Sequence, residues 1–301
     1  MKAVTHSLAI IASLLVVAGC LPGGPTTAPS APITAAPASP TAAAAIPTAS
    51  PAPTADLEHP VGIIAIGHSG LTGEGTAGFQ EGDTSASWAT GTDPAVNSVY
   101  MRLTAALPTT EGLVANAARG GAPASALVGQ ARTALAQVPA PALAIIATFD
   151  NDIRCDGSNI AQVGQAISAG LAEIHAASPN TKILLVGQPG RPSAAFIEEL
   201  VAHDPAVKGD LTWDDECTFY TADGELNRPG IKKLSEVIDA YEAEQARVCA
   251  TVPNCATDGG VRRAYVDRLE NFSPDWAHFN VQGQAAQAAL IWPVVEALLG
   301  L

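Results

Sequence analysis

A serine closely flanked by glycines, Ser69 in the run Gly67-His68-Ser69-Gly70, follows an apolar stretch at residues 61–66. A serine on such a strand-to-loop turn has its hydroxyl exposed and can act as a nucleophile. The run is not the GxSxG elbow, because Leu71 occupies the position where that motif needs its second glycine. Taken alone, it is equally compatible with a plain glycine-rich turn.

An aspartate and a histidine lie three positions apart near the C-terminus, in Asp275-Trp276-Ala277-His278. On one turn both side chains can reach a serine delivered by another part of the fold. The imidazole would take the serine proton, while the carboxylate fixes its tautomer and stabilises the imidazolium. By themselves the two residues are equally well a helix cap and a surface histidine, but together with Ser69 they predict a Ser-His-Asp triad.

The elements that must position these residues are short apolar runs that alternate with longer segments carrying apolar residues at helical spacing. The alternation predicts an α/β domain with a parallel sheet covered by helices. In such a sheet the reactive site lies at the carboxyl ends of the strands. We expect strands at residues 61–66, 113–116, 143–148, 182–186 and 264–266, and helices at residues 95–107, 125–137, 160–177, 194–201, 231–248 and 282–299.

The N-terminus has the pattern of an export signal. Met1 and Lys2 precede an apolar run at residues 8–17, which ends in Val17-Ala18-Gly19-Cys20. The run is too short to span a bilayer comfortably, and small residues before a cysteine resemble the bacterial lipobox. We therefore expect residues 1–20 to be a lipoprotein signal peptide with Cys20 as lipidation site. The alternative is an ordinary secretory peptide with an incidental cysteine.

Residues 21–58 are dominated by Pro, Ala, Thr, Ser and Gly, without a charge until Asp56. Such a stretch cannot bury a core and is typical of a spacer, here one between the domain and the outer face of the cell membrane. Residues 59–301 are long enough for one large domain, which we expect to be a monomer.

The overall charge excludes one class of partner. The chain has a formal net charge of -14, and nucleic-acid binding requires clustered Lys and Arg. The acidic run Asp214-Asp215-Glu216 lacks the spaced ligands of a calcium loop, and we read it as a solvated turn. We expect neither a metal nor an organic cofactor.

Apart from Cys20, the chain has four cysteines, Cys155, Cys217, Cys249 and Cys255. An even number in an exported chain predicts two disulfides. The short spacing of Cys249 and Cys255 favours a local bridge and leaves Cys155 with Cys217, although the sequence allows all three connectivities.

Four blocks, in this order along residues 61–301, resemble the motifs of the SGNH (GDSL-like) hydrolase superfamily. They are Gly67-His68-Ser69, residues 116–121 with Arg119, Gly120 and Gly121, Asn151-Asp152, and Asp275-Trp276-Ala277-His278. The resemblance implies a three-layer α/β/α flavodoxin-like fold with a central parallel five-stranded sheet. It also implies a serine esterase that works through an acyl-enzyme.

The resemblance assigns roles to individual residues. Ser69 matches the nucleophile, His278 the base and Asp275 the residue that orients it. The oxyanion donors would be the Ser69 N–H, the Gly121 N–H, with the adjacent Gly120 as an alternative, and the Asn151 side-chain amide. Candidate substrate contacts in or beside the motif loops are His68, Arg119, Gly120, Asp152, Arg154 and Trp276; Phe279 flanks the histidine as well.

The chain departs from the superfamily pattern at three positions. His68 stands where aspartate is frequent, Phe149 where the third block usually has glycine, and Ala118 where the second block commonly has glycine. The first departure affects how the nucleophile turn is braced, and the second affects the loop that carries Asn151. None of them removes a reacting group.

The absence of a long hydrophobic lid segment favours short acyl esters, such as O-acetylated carbohydrate, over long-chain lipids. Two alternatives remain open at this point. An acyltransferase would use the same triad and pass the acyl group to a sugar hydroxyl. A non-catalytic carbohydrate-binding lipoprotein of the cell envelope is expected to have lost Ser69, Asn151 or His278, whereas this chain has all three.

Overall fold

A parallel sheet forms the centre of the protein. The structure, a computed structural model, describes residues 56–301. The expected signal peptide, Cys20 and most of the expected spacer lie outside the described residues. The described sheet has five strands in the order β2-β1-β3-β4-β5. They are β1 (Ile63–Gly67), β2 (Val114–Asn116), β3 (Leu143–Ala147), β4 (Lys182–Val186) and β5 (Cys255–Thr257).

Helices cover both faces of this sheet and produce three layers. One side of the core contains Leu127, Ile167 and Tyr241, and the other contains Leu103 and Ile291. The central strands β1 and β3 are buried along their whole length, as expected for a parallel sheet with two covered faces. The helices are α1 (Val99–Ala106), α2 (Leu127–Leu135), α3 (Ile160–Ala177), α4 (Ala194–His203), α5 (Arg228–Cys249) and α6 (Val281–Leu299).

The strand order places a crevice beside the expected nucleophile. The chain leaves β1 toward β2 on one side, whereas β3 pairs with the other side of β1. Ligands of open α/β sheets bind at such a reversal, outside the carboxyl ends of the strands. Ser69 follows β1 and Asn151 follows β3, so both lie at this edge of the sheet.

The first four strands and all six helices are confirmed, with ends shifted by a few residues. The fifth expected strand, at residues 264–266, is wrong. Those residues lie in a loop in which Val266 is 71% exposed, and the edge strand is instead Cys255–Thr257, paired with β4. That strand has three half-buried residues, too few to produce a pattern in the sequence.

Two disulfides stabilise the described domain, Cys155–Cys217 and Cys249–Cys255, the pairing that the local spacing favours. The Cys249–Cys255 bridge joins the end of α5 to the start of β5. Asp215 lies beside the other disulfide, but both sulfurs there are bonded to each other and cannot ligate a metal. None of the helices within residues 56–301 is both long and apolar enough to span a membrane.

Candidate active site

The turn that carries Ser69 depends on Gly67 and His68. A Cβ at Gly67 would lie 1.7 Å from the Ala147 carbonyl oxygen, so the close approach of β1 and β3 requires glycine. Ser69–Leu71 forms one 3-10 turn, and the Gly70 N–H donates to Nδ1 of His68 over 3.1 Å. The imidazole thus caps the turn as a short carboxylate would, which accounts for histidine at this position.

The other ring nitrogen of His68 contacts a second acid. Nε2 lies 3.1 Å from Oδ2 of Asp150. Because Nδ1 accepts from Gly70, the ring is neutral and Nε2 carries the hydrogen that it donates to Asp150. Burial, with Arg262 and His278 nearby, lowers the pKa of His68 to about 3, in line with this tautomer. Burial raises the pKa of Asp150.

Asp275 and His278 form the expected pair. Nδ1 of His278 lies 2.9 Å from Oδ2 of Asp275, and Oδ1 of Asp275 accepts the Ala277 and His278 N–H groups. Burial would raise the pKa of Asp275, but these bonds and the Ser273 hydroxyl outweigh it and hold that pKa well below its usual range. The carboxylate is therefore ionised. It binds Nδ1 of the imidazole, so Nε2, the other ring nitrogen, is the one on the side away from Asp275.

Ser69 and His278 line one cavity together with His68 and Asp150. Nε2 of His278 is buried and has no hydrogen-bond partner within residues 56–301, so the serine–histidine bond is not made in this structure. Burial alone would lower the pKa of His278. The bond to Asp275 and the carboxylates of Glu74 and Asp150 outweigh burial and raise that pKa above its ordinary value.

The expected oxyanion donors lie on two adjoining loops. Asn151 is buried on the short turn after β3, and its side-chain amide donates to the Ala122 carbonyl oxygen over 3.0 Å. Gly121 has φ +67°, a conformation that favours glycine. The two loops therefore contact each other, but Asn151, Gly120 and Gly121 are not among the residues lining the cavity of Ser69 and His278.

Phe149 has a backbone conformation that favours glycine. Its φ is +72°, in the left-handed region that a side chain rarely adopts. The ring is fully buried and stacks on Tyr241 with centroids 5.4 Å apart. Packing of this ring offsets the backbone strain and keeps the loop with Asp150 and Asn151 in place.

Of the other expected substrate contacts, only His68 and Phe279 line the cavity, and the remaining ones do not. Asp152 accepts the Ala124 N–H over 2.7 Å and so braces the two motif loops. The indole N–H of Trp276 donates to Asp204. Arg119 and Arg154 have exposed side chains.

The cavity also contains residues that the motifs did not indicate: Glu74, Asp150, Arg262, Asp267 and the loop 188–192. Asp150 follows β3, and the loop 188–192 follows β4. Their positions directly after apolar runs could have identified them as site residues from the sequence. Glu74 and Asp267 lie in loops without a motif, and only the folded chain brings them here. Burial raises the pKa of Asp267 to about 7.

Comparison with known proteins identifies the fold. No protein-family model and no curated protein matches the chain. The extracellular lipase from Streptomyces rimosus superposes with a TM-score of 0.51 and 15% identity, over 79% of this chain and 99% of the lipase. Phospholipase A1 from Streptomyces albidoflavus NA297 superposes with a TM-score of 0.50 and 12% identity, over 79% and 99% of the two chains. At these identities the likeness shows the fold alone, a three-layer α/β/α fold with a parallel five-stranded sheet that this chain shares with the two enzymes.

Proposed function

We propose that this protein is a serine hydrolase that cleaves carboxylic esters through an acyl-enzyme on Ser69. The observation that carries the proposal is the Asp275–His278 pair, with its 2.9 Å bond, whose histidine lines the same cavity as Ser69. The unpartnered Nε2 of His278 is the atom that a general base needs. The two similar structures are named a lipase and a phospholipase, which supports ester cleavage on this fold.

The steps follow from these groups. Ser69 Oγ attacks the ester carbonyl carbon while Nε2 of His278 takes its proton. The tetrahedral intermediate collapses and expels the alcohol, which receives that proton from His278. Water then attacks the acyl-enzyme with His278 again as base, and the acid and free Ser69 are released. Asp275 stabilises the imidazolium in both halves of the reaction.

The oxyanion donors are part of the proposal. The Ser69 and Gly121 N–H groups and the Asn151 amide would stabilise the negative oxygen of the intermediate. Asn151 uses one amide hydrogen on Ala122, and a second hydrogen is available to the substrate.

The substrate that fits best is a short acyl ester of a polar alcohol, such as an O-acetylated carbohydrate. The carboxyl groups of Glu74, Asp150 and Asp267 on the cavity wall suit hydroxyl groups better than a long alkyl chain. The two disulfides support export. Attachment to the outer face of the membrane through Cys20 completes the proposal, and incorporation of labelled palmitate that Cys20→Ser abolishes would test it.

The deciding experiment is hydrolysis of p-nitrophenyl acetate and of a longer-chain homologue by the wild type and by Ser69→Ala. We expect turnover by the wild type, faster on acetate, and loss of the acyl-enzyme route in the variant. A serine-directed phosphonate should label the wild type at Ser69. If the wild type is as inert as the variant and the phosphonate fails to label it, hydrolysis is wrong.

A further inference from the structure

Glu74 lies in a segment that two glycines hold against His278. Gly73 and Gly75 have φ +86° and +95°, a conformation that side chains rarely adopt. A Cβ at Gly75 would lie 2.5 Å from Cβ of His278, and one at Gly73 would lie 2.9 Å from the Ala86 backbone. Neither position has room for a side chain, so the backbone around Glu74 is confined to the rim of the candidate active site.

This confinement puts the Glu74 carboxylate between the base and the second motif loop. Its Oε2 lies 3.9 Å from Nε2 of His278. The same oxygen would be 2.8 Å from a Cβ at Gly120, so the carboxylate occupies the space that a side chain at Gly120 would need. Glu74 lines the same cavity as Ser69, and its side chain is one-third exposed to solvent.

The carboxylate has its hydrogen-bonding capacity available. Within residues 56–301 it makes no hydrogen bond, and no Lys or Arg lies within 4.0 Å of it. The backbone N–H of Glu74 donates to Oγ1 of Thr72, a bond that does not involve the carboxylate. An ionised carboxylate accepts hydrogen bonds and donates none, so a ligand at this place must bring the donor.

The reaction geometry tells which part of the substrate reaches Glu74. During acylation the leaving alcohol oxygen must approach Nε2 of His278 to about 3 Å, because it takes its proton there. Groups on the neighbouring carbon then come within one hydrogen bond of Oε2, which lies 3.9 Å from that nitrogen.

We propose that Glu74 is a specificity-determining residue whose carboxylate accepts a hydrogen bond from a free hydroxyl adjacent to the ester in the alcohol part of the substrate. The substrate class is thereby narrowed to partly acylated polyols and sugars with a neighbouring hydroxyl. The inference rests on the proposed ester hydrolysis at Ser69.

A matched pair of esters tests the inference on the full-length protein: glycerol 1-acetate and 2,3-dimethoxypropyl acetate. They share the acyl group and differ in hydroxyl donors. We expect the wild type to favour glycerol acetate in kcat/KM. Glu74→Ala should reduce that preference by about tenfold or more, because it removes a charged acceptor, and Glu74→Gln should reduce it less, because its neutral amide oxygen still accepts. Glu81→Gln, a change at an exposed acid in the same loop, should leave the preference unaltered.

Acetylcholine separates hydrogen bonding from charge, because it carries a cation without a donor. If Glu74 acts on charge, the wild type prefers acetylcholine over the dimethoxy ester and the Glu74 variants lose that preference, which overturns the assignment to a hydroxyl. An unchanged ester preference in active Glu74 variants also overturns it and leaves the esterase intact. A wild type inert toward every ester overturns the proposed function and the inference with it.

The pH profile gives a readout that a merely structural role would not change. The charged and titratable groups facing His278 are Asp275, Glu74, Asp150 and His68. Removal of the Glu74 charge in Glu74→Gln lowers the pKa of His278, so the acid limb of kcat/KM should move to lower pH for p-nitrophenyl acetate too. A limb that does not move would place Glu74 away from the base and contradict the inference.

Discussion

The pair of His68 and Asp150 braces the turn that carries Ser69. His68 caps the Ser69 turn through Nδ1, and Asp150 accepts from Nε2 at 3.1 Å. The two residues follow different strands, so the bond ties the loops after β1 and β3 together. A histidine at the capping position is therefore tolerated because the loop after β3 supplies Asp150 as its partner.

Replacing His68 with the aspartate frequent in the superfamily should destabilise this chain. In His68→Asp two carboxylates would face each other beside Ser69, and the variant should lose about 1–3 kcal/mol of unfolding free energy. The double variant His68→Asp, Asp150→Asn removes the repulsion and should recover most of the loss. Urea unfolding measures both, and a double variant no more stable than the single one would contradict the pairing.

The Asp275–His278 pair predicts the pH dependence of the proposed activity. His278 must be neutral to act as base, and its pKa is raised above the ordinary value for histidine, about 6.5. The acid limb of kcat/KM should therefore have its midpoint above 6.5, with activity lost as the pH falls through that raised pKa.

The matched variant for this prediction is Asp275→Asn. It removes the charge that raises the pKa of His278 and disturbs its tautomer. We expect the limb to shift to lower pH and kcat to fall by about 10³–10⁴. An unshifted limb with near-normal kcat would show that Asp275 does not act on His278.

At the scale of elements, the loop after β3 has a strained backbone at Phe149 that side-chain packing compensates. Phe149 has φ +72° and stacks on Tyr241 of α5. The strain of a left-handed residue is about 1–2 kcal/mol, whereas a buried phenylalanine contributes about 3–5 kcal/mol relative to alanine. The gain from packing exceeds the cost of strain. Contact with Tyr241 of α5 therefore accounts for phenylalanine at position 149.

Two substitutions separate strain from packing. Phe149→Ala keeps the strain and loses the ring, and we expect it to cost about 3–5 kcal/mol of unfolding free energy. Phe149→Gly also loses the ring but relieves the strain, and should be about 1 kcal/mol more stable than the alanine variant. Guanidinium unfolding of both variants gives the difference. If Phe149→Gly is less stable than Phe149→Ala, the backbone at position 149 is not strained and the prediction is wrong.

At the scale of the whole molecule, the two disulfides close loops of very different length. Cys155 and Cys217 are 62 residues apart, and Cys249 and Cys255 are 6 apart. A bridge stabilises largely by restricting the unfolded chain, more so for a longer loop. The first bridge also connects the loop after Asn151 to the segment before α5, so it restrains the candidate site as well as the fold.

Removing the long-range bridge should therefore cost more than removing the short one. The double serine variant of Cys155 and Cys217 should lose about 2–5 kcal/mol of unfolding free energy. The corresponding variant of Cys249 and Cys255 should lose less, mainly through the edge strand β5. Thermal and urea unfolding of both variants provide the test, and an equal loss would mean that loop length does not determine the effect.

Much of the architecture follows from local pattern. The strands β1 to β4 and the six helices were predictable because their apolar periodicity reflects burial directly. The position of Ser69 and Asn151 at one edge of the sheet was predictable because parallel strands bring the residues that follow them to the same edge. Strand β5 was not predictable from the sequence, because residues 255–257 are extended through their pairing with β4 and not through their own composition.

By itself the sequence determined the α/β class, the favoured disulfide pairing and the candidate triad, since each depends on residue types and on their order along the chain. Only the tertiary structure decided what surrounds that triad. Glu74, Asp150 and Asp267 come from three separate loops, and their distances to His278 and to one another depend on how the whole chain packs. No pattern in a linear chain encodes such distances, because loop side chains carry no periodicity and meet only after the sheet and helices have formed.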